Sequence, residues 1–99
     1  MVTPNSQILW DFDHESIRGI CRWPGVIALV IDGEEIAYVE AKNTRAQVER
    51  LLDGVSEDLT RGVTHVRVYQ LGDPVAKLQE LKAEFKAQFG RPPRRQHLA

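Results

Sequence analysis

GVIALVIDGEEIAYVEA, residues 25–41, is two β-rich runs joined by Asp32-Gly33. A type I′ hairpin turn needs positive φ at both central positions, and Asp-Gly supplies that cheaply. With these two residues as the loop, Ile27 faces Tyr38, Ala28 faces Ala37 and Leu29 faces Ile36. The first run carries apolar side chains on both faces, so it predicts a central strand covered on both sides.

Downstream, Asn43 or Thr44 can cap a helix whose apolar stripe is Val48, Leu51, Leu52 and Val55. Gly54 is placed to end it early, and SEDLTRG reads as a polar continuation or loop. In THVRVYQLG, Val66 and Val68 alternate with His65, Arg67 and Tyr69, which predicts a third strand. Asp73-Pro74 then starts a helix: a capping carboxylate followed by proline at the first helical position. It runs through Val75, Leu78, Leu81, Phe85 and Phe89 to a capping Gly90. The order is hairpin, helix, strand, helix, which is an α+β layer fold with a three-stranded sheet and two main helices.

Upstream, Trp10 and Phe12 alternate with Asp11 and Asp13, and residues 1–13 look extended. Asp13 can cap a short turn in DHESIRGI, and Arg22-Trp23-Pro24-Gly25 makes a corner. The division is an extended or short helical segment at 1–23, an α+β domain at 24–90 and a basic, proline-containing tail at 91–99. RPPRRQHLA cannot continue the last helix and reads as a proline-broken, mobile basic tail.

The chain has 99 residues, room for one core. Its formal net charge of −1 excludes a strongly basic nucleic-acid binder while leaving room for a local basic patch. Its one cysteine, Cys21, excludes an internal disulfide framework. His14, His65 and His97 lack ligand spacing for zinc. No apolar run approaches the ~20 residues of a membrane helix, and MVTPNSQILWDFDHE lacks the order of a signal peptide. A cytoplasmic protein without a membrane partner is expected. The sequence has no internal repeat.

These elements and their local words resemble the GIY-YIG nuclease domain over residues 24–93. Pro24-Gly25-Val26-Ile27 stands in the place of the first motif, and Tyr38-Val39-Glu40 in that of the second. Ala41-Lys42-Asn43-Thr44-Arg45 matches the corner into the helix, and FKAQFGRPP the closing helix and proline pair. The resemblance implies metal-assisted phosphodiester hydrolysis. Its working parts would be a first-motif tyrosine, a second-motif tyrosine, a helix arginine and a metal-binding glutamate on the last helix. Cation and metal clamps on a phosphate under attack are the expected chemistry.

Several of these groups are replaced. Ile27 stands at the first tyrosine, Gln47 at the arginine and Lys82 at the metal glutamate. Tyr38 is retained, and the motif glycine is either replaced by Glu40 or lost by a one-residue deletion. On a helical wheel Lys82 falls inside the apolar arc, positioned to pair with Glu40 or reach a phosphate, whereas Glu80 and Glu84 point outward. The resemblance therefore implies a catalytically degenerate domain that acts by binding nucleic acid or a protein partner, without a cofactor. Its size suits an accessory or inhibitor protein of a phage or mobile element. The candidate binding residues are Lys42, Asn43, Arg45, Gln47, Arg50, Lys82 and Arg91. Against this, Lys42, Arg45 and Arg50 also read as a solvated helix face paired with Glu49. The competing expectation is an active endonuclease using magnesium or manganese, with Tyr38, Arg45 and Glu84, or Glu80, as catalytic residues. A third is a protein–protein module built on the acidic entry segment and the aromatics Trp10, Phe12 and Trp23.

Overall fold

The computed structural model describes residues 8–70 and 72–99. It is a small α+β domain with one four-stranded antiparallel sheet, where three strands were expected. The strands are β1 (Leu9–Asp11), β2 (Gly25–Ile31), β3 (Glu34–Ala41) and β4 (His65–Tyr69), in the spatial order β1-β4-β2-β3. The helices are α1 (Thr44–Leu52), the single turn α2 (Glu57–Thr60) and α3 (Pro74–Phe89). The additional strand is β1, three residues long, paired to β4 with Trp10 opposite Val66. The extended reading of residues 1–7 lies outside the described residues.

As its unbroken apolar pattern predicts, β2 is central and buried on both faces. One face packs Ile27, Leu29, Val66 and Val68 against Val48 and Leu51 of α1, Leu59 of α2, and Ile17 and Ile20. The other packs Val26, Ala28, Tyr38 and Tyr69 against Leu81 and Phe85 of α3. α1 and α3 thus lie on opposite sides of the sheet. Among the described residues no helix is long and apolar enough to cross a membrane.

The hairpin turn forms at Asp32-Gly33, both with positive φ. The register beyond it departs from the regular one. Val30 faces Glu35 as expected, yet Leu29 faces Ala37, Ala28 faces Tyr38 and Ile27 faces Val39. A β-bulge makes Ile36 the extra residue. Ile36 and Ala37 both enter the α1-side core, which burying two adjacent apolar side chains on one face requires. The bulge moves Tyr38 to the α3 side, so Ile27 and Tyr38 occupy opposite faces.

Asn43, not Thr44, caps α1: its side chain accepts from the Ala46 N–H. Thr44 is wholly buried; its hydroxyl lies 2.9 and 3.0 Å from the carbonyls of Cys21 and Trp23. It accepts from Gln70 Nε2 at 2.6 Å. Val55 falls outside α1 and is exposed. On α3 the buried stripe is narrower than the wheel suggested. Val75 and Phe89 are half exposed, so Lys82 sits at the margin of the packed face.

The tail does not project. Pro93 is buried, and Gln96–Leu98 form a 3₁₀ turn. β3 is an outer strand of the sheet, and the tail lies along its free edge. Gln96 accepts from the Tyr38 N–H at 2.8 Å and donates to the Tyr38 carbonyl at 2.9 Å, the two bonds a neighbouring peptide would make. Arg95 N–H donates to the Ile36 carbonyl at 2.8 Å. The otherwise open edge is thereby covered. Replacing Gln96 by Ala leaves two backbone groups of β3 without partners and is expected to lower stability by about 1–2 kcal/mol, readable as a lower urea midpoint at unchanged slope.

Candidate functional site

The bulge puts Glu35 and Tyr38 on the same face of β3, beside Arg67 and Tyr69 of β4. Ala28, between Arg67 and Tyr38 in the sheet, is small enough to let side chains from the two strands flanking β2 lean together above it. The Glu35 carboxylate accepts the Tyr38 hydroxyl at Oε1, 2.7 Å, and the Tyr69 hydroxyl at Oε2, 2.8 Å. Arg67 Nη1 donates to the same Oε2 at 3.1 Å. One carboxylate therefore receives three donors.

The cluster floors a hollow of about 330 Å³ under α3, lined also by Lys77, Leu81, Glu84, Phe85, Gln88 and Phe89. Phe85 meets the Tyr38 ring edge-on at 6.4 Å, and Lys77 lies 5.6 Å from the Tyr69 ring centre. Burial, then the Glu35 hydrogen bond and charge, push the Tyr38 hydroxyl far above its ordinary range. Burial, then the Glu35 charge and hydrogen bond, push Tyr69 up to about 12. For Arg67, burial works against the charge, but the Tyr69 bond and the Glu35 carboxylate outweigh it and the guanidinium is held more firmly protonated. Its buried Nε has no hydrogen-bond partner.

These are the only two tyrosines of the chain, so tyrosinate absorbance reports this cluster alone. Both hold their proton more tightly when folded than near 10, the unfolded value. Their contribution to stability is full below pH 10 and is lost as pH rises through the folded values, about 12 for Tyr69. In an alkaline titration the near-ultraviolet tyrosinate signal is expected to stay flat past pH 10 and to rise together with loss of the circular-dichroism signal. A signal rising near pH 10 with the fold intact would contradict the cluster.

Of the expected catalytic residues, Tyr38 and Glu84 share this hollow. Arg45 does not join them, since it belongs to α1 on the opposite side of the sheet. Glu80 pairs with Lys77 at 3.6 Å. The donors around the hollow suit a divalent cation poorly. Both Glu35 oxygens are occupied, Arg67 and Lys77 bring positive charge, and Glu84 is the one lining carboxylate outside the Glu35 cluster.

The expected binding residues separate as well. Asn43 is taken up by the α1 cap. Arg91 sits against the Phe85 and Phe89 rings and, with Arg94, pairs with Glu34 at 3.5 and 3.0 Å. Lys82 lines a groove of about 560 Å³ with Arg91, Arg94, His97 and the two prolines; it forms no ion pair with Glu40. Lys42, Arg45, Gln47 and Arg50 stand on α1 and its entry. Among the described residues, Lys42, Arg45 and Arg50 form no ion pair, not even with Glu49. Glu35, Arg67 and Tyr69 were absent from the sequence-based site. The alternation of HVRVY hinted that Arg67 and Tyr69 share a face, but Glu35 joins them only through the bulge.

No family model, curated protein or solved structure matches this chain.

Proposed function

We propose that this chain is a nuclease-like domain, degenerate at its catalytic positions, that binds nucleic acid without cutting it. The observation that carries the reading is the Glu35 carboxylate holding three donors at once. Two tyrosines and an arginine, residue types able to activate water or clamp a phosphate, are locked to one another. A nucleophile-activating tyrosine needs an accessible, lowered pKa, and both tyrosines here are displaced upward. Further support comes from Ile27, wholly buried at the first-motif position, and from Lys82 at the metal position. Among the described residues the cations of α1 and its entry, by contrast, carry no carboxylate partner and suit phosphate contacts.

The test is fluorescence anisotropy with labelled single- and double-stranded oligonucleotides at low salt. Saturable binding that weakens linearly on a log–log plot as salt rises is expected, by about 0.7–0.9 in slope per phosphate neutralised. Absence of binding to either form at low salt overturns the proposal and leaves a protein partner as the reading to pursue.

A further inference from the structure

We infer that the corner formed by Arg22, Trp23, Lys42 and Arg45 is a binding site for a single-stranded nucleic acid. Bases would stack on Trp23, and the cations would take the phosphates. The inference rests on the nucleic-acid reading above and names its site and strand form.

The corner is built, not incidental. Thr44 N–H donates to the Trp23 carbonyl at 2.9 Å, and the buried Thr44 hydroxyl lies within hydrogen-bond distance of the Cys21 and Trp23 carbonyls. Gln70 Nε2, just past β4, ties the same knot, donating to the Cys21 carbonyl and to Thr44 Oγ1. Two segments distant in sequence are thus clamped backbone to backbone, with Arg22-Trp23 on one and Lys42 and Arg45 flanking Asn43-Thr44 on the other. The clamp leaves Trp23 61% exposed, the highest exposure among the large hydrophobic residues described. The other tryptophan, Trp10, by comparison, packs over Gly19 and against the core.

The charge beside it is uncompensated. Arg22, Lys42 and Arg45 form no ion pair among the described residues, and the buried Nε of Arg45 lacks any acceptor. Glu40 and Glu49, the carboxylates nearest Lys42 and Arg45 along the chain, pair with neither. An exposed indole on a backbone corner whose flanking residues carry unpaired cations is what sequence-tolerant strand binding uses. Every base has a face to stack, and the backbone follows the positive charge. A duplex, its bases already stacked, offers no face to Trp23, so the corner favours a single strand. An acidic peptide would satisfy the cations and leave the indole unused.

The experiment measures binding of labelled oligo(dT) and of a duplex of equal length to the full chain, in parallel with polyglutamate as competitor. Trp23→Ala is expected to weaken oligo(dT) binding about tenfold, Trp23→Phe to retain most of it, and Lys42→Glu to weaken it and flatten its salt dependence. Lys86→Ala, exposed near the end of α3 on the other side of the sheet, is expected to change little. Trp23 and Lys42 are exposed, and unchanged circular dichroism confirms folding of the variants. Equal oligo(dT) affinity of Trp23→Ala and the parent overturns the inference. So does preferential duplex binding indifferent to Trp23, or displacement of oligo(dT) by polyglutamate at equal charge; in these cases nucleic-acid binding or an acidic partner remains. Failure of the parent chain to bind any DNA overturns the underlying reading itself.

Discussion

Glu35→Ala is expected to destabilise the domain by about 3 kcal/mol, lowering its melting temperature by about 15 °C. The loss exceeds that of one hydrogen bond because three donors depend on this carboxylate. Without it the Tyr38 and Tyr69 hydroxyls, both more than half buried in the hollow, lose their acceptor. Arg67 becomes a partly buried charge with no counter-ion. Glu35→Gln keeps an acceptor but removes the charge, and is expected to fall between Ala and the parent. Calorimetry of the three proteins checks this order. A loss under 1 kcal/mol for Glu35→Ala would mean that the cluster is a loose surface pairing.

Gly25→Ala is expected to cost about 3 kcal/mol or more, or to prevent folding. Gly25 opens β2, the central strand, where Val26 pairs with Tyr69. A Cβ built on Gly25 overlaps the Tyr69 carbonyl oxygen and crowds the Thr44 methyl group and the Gln70 Cα. The first neighbour is backbone held in the sheet, so the conflict cannot be relieved by a rotamer change. The same glycine therefore governs the approach of β4 to β2 and the clamp at Thr44. Chemical denaturation compares the variant with the parent; a midpoint shift equivalent to under 1 kcal/mol would contradict the packing described.

The hairpin, α1, β4 and α3 were legible because their signals are local. Asp32-Gly33 dictates a turn, Asn43 and Asp73 supply caps, and HVRVY alternates. What escaped is non-local. The bulge at Ile36 is decided by two adjacent side chains competing for the α1-side core, and a regular alternation in EEIAYVEA assigns Tyr38 to the wrong face. The Gln96–Tyr38 bonds join residues 58 positions apart, and nothing in RPPRRQHLA announces a strand-like partner. β1 is only three residues long and gains definition from β4 and from the Asp11–His65 pair at 3.1 Å. The site inherits the same pattern. The resemblance named Tyr38 and Glu84, which line one hollow, whereas placing Glu35 beside them required the register. The separation of Arg45 from Tyr38 follows from which face each helix covers, which element order alone does not state.

The central claim is binding without turnover. Its most direct test is one purified sample assayed for retention of DNA and for nicking of supercoiled plasmid, at low salt, with magnesium, with manganese and with chelator. Retained DNA and intact plasmid are expected under all three conditions. Nicking that requires the metal and disappears in Glu84→Gln would contradict it, and would make the hollow beside Tyr38 a working metal site.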